Sequence, residues 1–247
     1  AYQVAQGEPL TLHLREDSRN TKRGDSKQSN KLIPTIALKR PLDFAAVTDH
    51  AENFGETHLC LNPSSPAYSV AVCKVYRGDI RLPVSDVMQP LMRMLALVIF
   101  QNQRSEKICG KDGHRCIETA IDVWQQQQRA AEIAYDRSSA CRFTSFVAYE
   151  YSLAEKQANL HRNIIFANAT VPPVPLSSKD QPIPEKLWAW LKTYCNDSDS
   201  DCDAISIPHN SNWSSGRMFY PNSQFQNTLE EHAYGNVVRI KKADNHY

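Results

Sequence analysis

Apolar residues at Ile117, Ala120, Ile121, Trp124, Ala131, Ala134 and Tyr135 recur at helical spacing and predict a helix over 117–136. A second helix is predicted over 86–103, with Pro90 in its first turn, where a missing N–H is tolerated. A third opens at Pro184 and runs through Glu185, Leu187, Trp188 and Leu191. Between them lie runs rich in aromatic and β-branched side chains. These predict a short buried strand at 42–48 and further strands at 141–150 ("CRFTSFVAYE"), 161–167 ("HRNIIFA"), 204–209 ("AISIPH") and 237–240. The proline-rich 171–184 reads as a loop. Residues 1–40 are polar and weakly patterned, and 15–30 reads as an exposed insertion or hairpin tip. Its Arg-Gly-Asp tripeptide is too common by chance to carry weight. The expected division is a polar segment at 1–40 and one domain at 41–247.

Strands alternating with helices predict a parallel α/β arrangement. No G-x-G-x-x-G or Walker motif follows any strand, so a nucleotide-binding doubly wound fold lacks its signature. A (β/α) barrel is the expected architecture, with its chemistry at the carboxyl ends of the strands.

Composition adds little beyond exclusions. Hydrophobic residues make up 41% and the formal net charge is +1, so there is no electrostatic case for nucleic acid or a membrane surface. The apolar stretch 91–100 is interrupted by Arg93 and is too short to span a bilayer.

The seven cysteines say more. Cys109 and Cys116 enclose "GKDGHR", Cys195 and Cys202 enclose "NDSDSD", Cys60 and Cys73 flank a third loop, and Cys141 is left over. No C-x-x-C unit is present, which disfavours a zinc ribbon. Disulfides in an oxidising compartment, periplasmic or secreted, are the expectation; buried thiols in a cytoplasmic protein are the alternative. The acidic 197–203 alternates like a calcium loop but lacks its glycine and distal glutamate, so it reads as a solvated turn. Asn168, Asn196 and Asn212 begin glycosylation sequons in formal terms only.

Candidate chemistry sits where the strands end. The 42–48 run stops at Asp49 and His50, the 141–150 run at Glu150, and the 204–208 run at His209. His161 opens the 161–167 run and joins the same rim if that strand forms a hairpin with the Glu150 strand. Imidazole and carboxylate together suit zinc, manganese or iron. For any one of these histidines the alternative is a hydrogen-bonded core or capping residue.

"RPLDFAAVTDHAENFGE", "CGKDGHRC", "VWQQQQRAAE", "CRFTSFVAYEYS", "NLHRNIIF", "LWAWL" and "IPHNSNWSSGRMF" stand in the order seen in an uncharacterised bacterial family. That family belongs to the PHP superfamily, named for polymerase and histidinol phosphatase, and the resemblance covers roughly residues 40 to 225. It implies a distorted seven-stranded (β/α) barrel holding two or three metal ions and a phosphoesterase-like activity on a small-molecule substrate. His50 then matches the histidine of the Thr-Asp-His motif, with Asp49 a ligand, orienting group or proton donor. Glu150 matches the carboxylate that bridges two metals, and His161 and His209 match the next two ligands. Asn210, Asn212 and Arg217, in this family's own "HNSNWSSGR", become substrate contacts, with Arg217 an anion clamp. The superfamily's first His-x-His motif does not occur here. The resemblance therefore implies an internal piece of the barrel, with at most one weakly held ion on Glu150, His161 and His209, and with His50 stranded. Hydrolysis of an amide, sulfate ester or glycan, or a non-enzymatic metal-stabilised binding module, are the rival readings.

Overall fold

The computed structural model describes residues 1–11, 35–98, 103–155, 158–196, 201–216, 218 and 238–240. The chain divides into two compact units, one of residues 1–45 with 134–145 and one of residues 46–133 with 146–247. The smaller unit therefore takes in a segment distant in sequence from the polar N-terminal stretch. The 15–30 insertion lies outside the described residues.

In the smaller unit, helix Tyr2–Ala5 precedes strand Leu10–Thr11, which pairs antiparallel with Thr35–Ile36. Leu42 donates its N–H to the Ala5 carbonyl at 2.8 Å, and the Gln6 amide donates to the Ala134 carbonyl at 2.9 Å. Tyr2 meets Phe143 edge-on at 6.3 Å. Asp136 closes the 136–142 loop: the Ser138 hydroxyl, with the backbone N–H groups of Arg142 and Ser138, holds its carboxyl down at about 2. The expected buried strand at 42–48 is only Phe44–Ala46, and Phe44 is 66% exposed.

The larger unit is built on a four-stranded antiparallel sheet. Its order is Val238–Ile240, Ala204–Pro208, Arg162–Phe166, Ala148–Tyr151. The other described sheets are two-stranded, and none closes into a barrel. The expected distorted (β/α)7 barrel is thus corrected. Its physical requirement is a crossover between parallel neighbours. The chain instead leaves Ala148–Tyr151 through a small antiparallel pair, Ala154–Glu155 with Ala158–Asn159, and returns directly as Arg162–Phe166. The helix Pro184–Leu191 does intervene before Ala204–Pro208, yet that strand also pairs antiparallel with Arg162–Phe166.

The long helix forms where periodicity placed it, at His114–Ala134, and buries Cys116, Ala120, Trp124 and Ala131. Trp124 packs against Tyr149 at 5.6 Å and Phe166 at 6.1 Å, both from the sheet, and its Nε1–H donates to the Pro172 carbonyl at 2.9 Å. Burial on the scale of Phe166, 1% exposed, contributes about 1.5–3 kcal/mol. A second core holds Leu59, Cys60, Cys73, Leu97, Ile108, Cys109 and Cys116. It contains two cysteine pairs at disulfide distance, Cys60–Cys73 and Cys109–Cys116, and Cys195–Cys202 is the third. Cys141 is exposed and unbonded. The predicted helix at 86–103 is described as Gln89–Val98.

Candidate metal centre

Four segments meet at one end of the sheet. After the Phe44–Ala46 strand the chain runs to Asp49, whose carbonyl accepts the Glu150 N–H at 2.8 Å. This sets His50 and Glu150 side by side in an isolated parallel bridge. Ala148–Tyr151 and Arg162–Phe166 pair with Tyr151 opposite Arg162, so the residue entering the second strand, His161, lies beside the end of the first. Arg162 also pairs with Pro208, and the next residue, His209, donates its N–H to the His161 carbonyl at 3.3 Å. Three outgoing ends and one incoming end therefore share a rim without a barrel.

The side chains converge as well. Glu150 Oε1 lies 2.8 Å from His161 Nδ1 and 3.6 Å from His50 Nε2. One ligand atom from each of His50, Glu150 and His161 lies within 4.8 Å of the others. The His209 ring sits edge-on to His161 at 4.9 Å, and the His50 ring to His161 at 5.5 Å. Glu150 is buried, His161 and His209 are half-buried and His50 faces solvent, so the cluster has a dry side and an open side. His50 is not stranded, as the resemblance implied: it completes the tight group, and His209 flanks it.

Hydrogen bonds fix which nitrogens are engaged. His50 Nδ1 lies 3.0 Å from Glu52 Oε1, and a carboxylate accepts, so Nδ1 carries the proton and Nε2 faces Glu150. His209 Nδ1 lies 2.7 Å from the Asn210 carbonyl and must donate to it, which leaves Nε2 free of that bond. The Ser152 hydroxyl donates to Glu150 Oε1 at 2.9 Å. The pairing with Glu52 raises the His50 pKa; partial burial opposes this, and the charges of Glu52, Glu150 and Asp49 reinforce it. Burial pushes the Glu150 carboxyl up, but the His161 hydrogen bond and His50 charge, with Ser152, bring it below its ordinary value.

The other predicted site residues are placed differently. Asp49 Oδ2 accepts from Gln127 Nε2 of the long helix at 2.8 Å, which ties the carboxylate to the scaffold. Asn210 spends its side-chain oxygen on the Asn212 N–H at 3.2 Å, the local turn bond that asparagine favours. Trp213 and Ser215 follow with φ of 53° and 52°, in the left-handed region. Arg217 lies outside the described residues.

Sequence reasoning missed the acidic residues behind the cluster. Glu52 is 5% exposed, and Glu56 is fully buried. Asn53 Nδ2 donates to Glu52 Oε1 at 3.3 Å, and Lys179 Nζ donates both to Asn53 Oδ1 at 2.8 Å and to Glu56 Oε1 at 2.9 Å. Arg104 reaches Glu56 Oε2 at 3.4 Å and Asp180 Oδ1 at 2.8 Å. Glu56 also groups with Cys109 and Cys116, but those sulfurs are bonded to each other and are not free to hold an ion. The signal available was Glu52 and Glu56 four positions apart, one helical turn, just after His50.

The chain belongs to the family described as "Protein of unknown function (DUF3604)", whose model matches residues 2–241. No curated protein and no solved structure matches it.

Proposed function

We propose that His50, Glu150 and His161, with His209 at their edge, hold a divalent ion, and that the protein is a metal-dependent hydrolase of phosphate or related esters of a small molecule. The observation that carries this reading is the tight grouping of three ligand atoms drawn from segments 111 positions apart. The donor set fits: two imidazoles and a carboxylate suit zinc, manganese or iron. The resemblance to the PHP superfamily supports the ester class of substrate. An ion held there would supply Lewis acidity toward the ester and lower the pKa of water.

The chain's own groups supply the rest. Ser152 and His161 hold the Glu150 carboxylate in place. His50 presents Nε2 to the cluster because Nδ1 is engaged by Glu52. His209 keeps Nε2 unengaged by its neighbour's carbonyl, which suits it to pass a proton to a leaving oxygen. Asp49, held by Gln127, serves better as a fixed charge beside His50 than as a mobile proton carrier.

The three cysteine pairs at disulfide distance support a periplasmic or secreted setting. No helix among the described residues is long and apolar enough to cross a membrane.

The test is metal titration of chelator-treated protein with zinc and manganese, followed by assay on a panel of chromogenic phosphoesters. Wild type should bind at least one ion and turn over a phosphoester; Glu150→Gln and His161→Ala should lose both. Undiminished binding by the combined Glu150→Gln/His161→Ala variant would place the ion elsewhere, and turnover without added metal would remove the mechanism.

A further inference from the structure

Glu52 is buried, and its Oε2 has no hydrogen-bond partner among the described residues. Leaving a carboxylate oxygen dry and unpaired costs folding free energy, so a site selected for stability alone would not hold it. Its other oxygen is committed: Oε1 lies 3.0 Å from His50 Nδ1 and accepts the Asn53 amide at 3.3 Å. Asn53 is pinned in turn by Lys179, whose side chain is 4% exposed and whose ammonium is also bonded to buried Glu56. The His50 ring is thus gripped from behind by a chain of buried groups that reaches the 177–180 turn, while its Nε2 points to Glu150.

We infer that Glu52 is the positioning residue of the metal centre: it fixes the tautomer and ring angle of His50, and Asn53 and Lys179 fix Glu52. This rests on the proposed metal-binding role of His50. His50 needs such a grip because half of its side chain is in solvent, and an ungripped ring would turn freely there. A carboxylate on the far nitrogen does two things. It selects the Nδ1–H form, which leaves the Nε2 lone pair for the ion, and it makes that lone pair more basic. Glu52 makes no claim as a ligand, since its bonded oxygen lies at the nitrogen of His50 that faces away from Glu150.

The experiment uses cobalt(II) as the probe, read by its visible absorption, in wild type, Glu52→Gln and Glu52→Ala, with melting curves of each metal-free protein. The expected result is a 10–100-fold weaker cobalt affinity in both variants. Glu52→Gln should be the milder, because its amide oxygen still accepts from Nδ1, and its melting temperature should be no lower than wild type. Cobalt affinity and spectrum unchanged in Glu52→Ala would overturn the positioning role while leaving the metal centre standing. Failure of wild type to bind cobalt or zinc would overturn the metal centre and this inference with it. If the variants do not fold, nitrogen-15 spectra of the His50 ring in wild type decide: a protonated Nδ1 supports the inference, and a protonated Nε2 with bare Nδ1 overturns it.

Discussion

Glu150 donates its backbone N–H to the Asp49 carbonyl at 2.8 Å, and this bond seats His50 beside the Glu150 carboxylate. The two residues are joined through the backbone before their side chains interact, so the pair does not depend on an ion to assemble. A preformed cluster of this kind binds without the cost of ordering its ligands.

The same pairing sets a pH dependence. The His50 pKa is raised above its ordinary 6.5, chiefly by Glu52. A group whose folded pKa lies above its unfolded value stabilises the fold fully below the unfolded value and loses that contribution as pH rises through the folded one. The melting-temperature difference between metal-free wild type and His50→Asn should therefore be full below about 6.5 and shrink as pH rises above it. Metal binding runs the other way. It needs the neutral ring, so affinity should begin to fall while pH is still above 6.5. Glu150 has the opposite sign: its carboxyl lies below the ordinary 4.5, and its contribution is present above that value and lost in stronger acid. Melts that show a widening His50→Asn difference toward high pH would contradict the pairing.

The convergence of His50, Glu150, His161 and His209 was legible in the sequence although the topology was not. Reading where strands begin and end needs only local patterning. An antiparallel neighbour brings the first residue of one strand to the last residue of the other, as it does for Arg162 and Tyr151, and this sets His161 beside the same end. The barrel was misread because alternation of strand and helix was taken to mean parallel crossovers, whereas 151–162 is a hairpin. The helix Phe54–Leu61 was hidden by its own interior glycine, which disfavours helix by about 1 kcal/mol relative to alanine. Gly55 is there for packing: a Cβ would lie 2.1 Å from the Cys116 carbonyl oxygen. Glu52 and Glu56 drew no reading from the sequence because the groups that pair with Glu56, Lys179 and Arg104, arrive from distant parts of the chain.

Thiol chemistry tests the cysteine pairing. Of the seven cysteines, six lie in pairs with Cα separations of 4.8, 4.8 and 4.4 Å, and Cys141 is exposed. Unfolded, unreduced protein should titrate with one thiol, and reduced protein with seven. Each bond should contribute about 2–3 kcal/mol in the chain-entropy model. Three or more reactive thiols before reduction would show that at least one pair stays open and would weaken the oxidising-compartment reading.

Lys179 gives the sharpest stability test because its ammonium is held between a buried carboxylate and a buried amide oxygen. Its Nζ bonds Glu56 Oε1 at 2.9 Å and Asn53 Oδ1 at 2.8 Å, and Glu56 is fully buried. Lys179→Met keeps much of the apolar stem but leaves Glu56 with Arg104, 3.4 Å away, as its remaining charged partner. Removing one partner of a buried pair costs about 3–5 kcal/mol, because the other charge is left dry. Because Arg104 still faces Glu56, Lys179→Met should lower denaturant stability by less than that, about 1–3 kcal/mol. Adding Glu56→Gln to it should recover a large part, since an amide is cheaper to bury than an unpaired carboxylate. The pair should also separate support from chemistry. The double variant, though refolded, leaves Asn53 without its Lys179 bond, so its cobalt affinity should stay below wild type. A double variant as unstable as Lys179→Met would mean that the lysine acts through packing and not through Glu56.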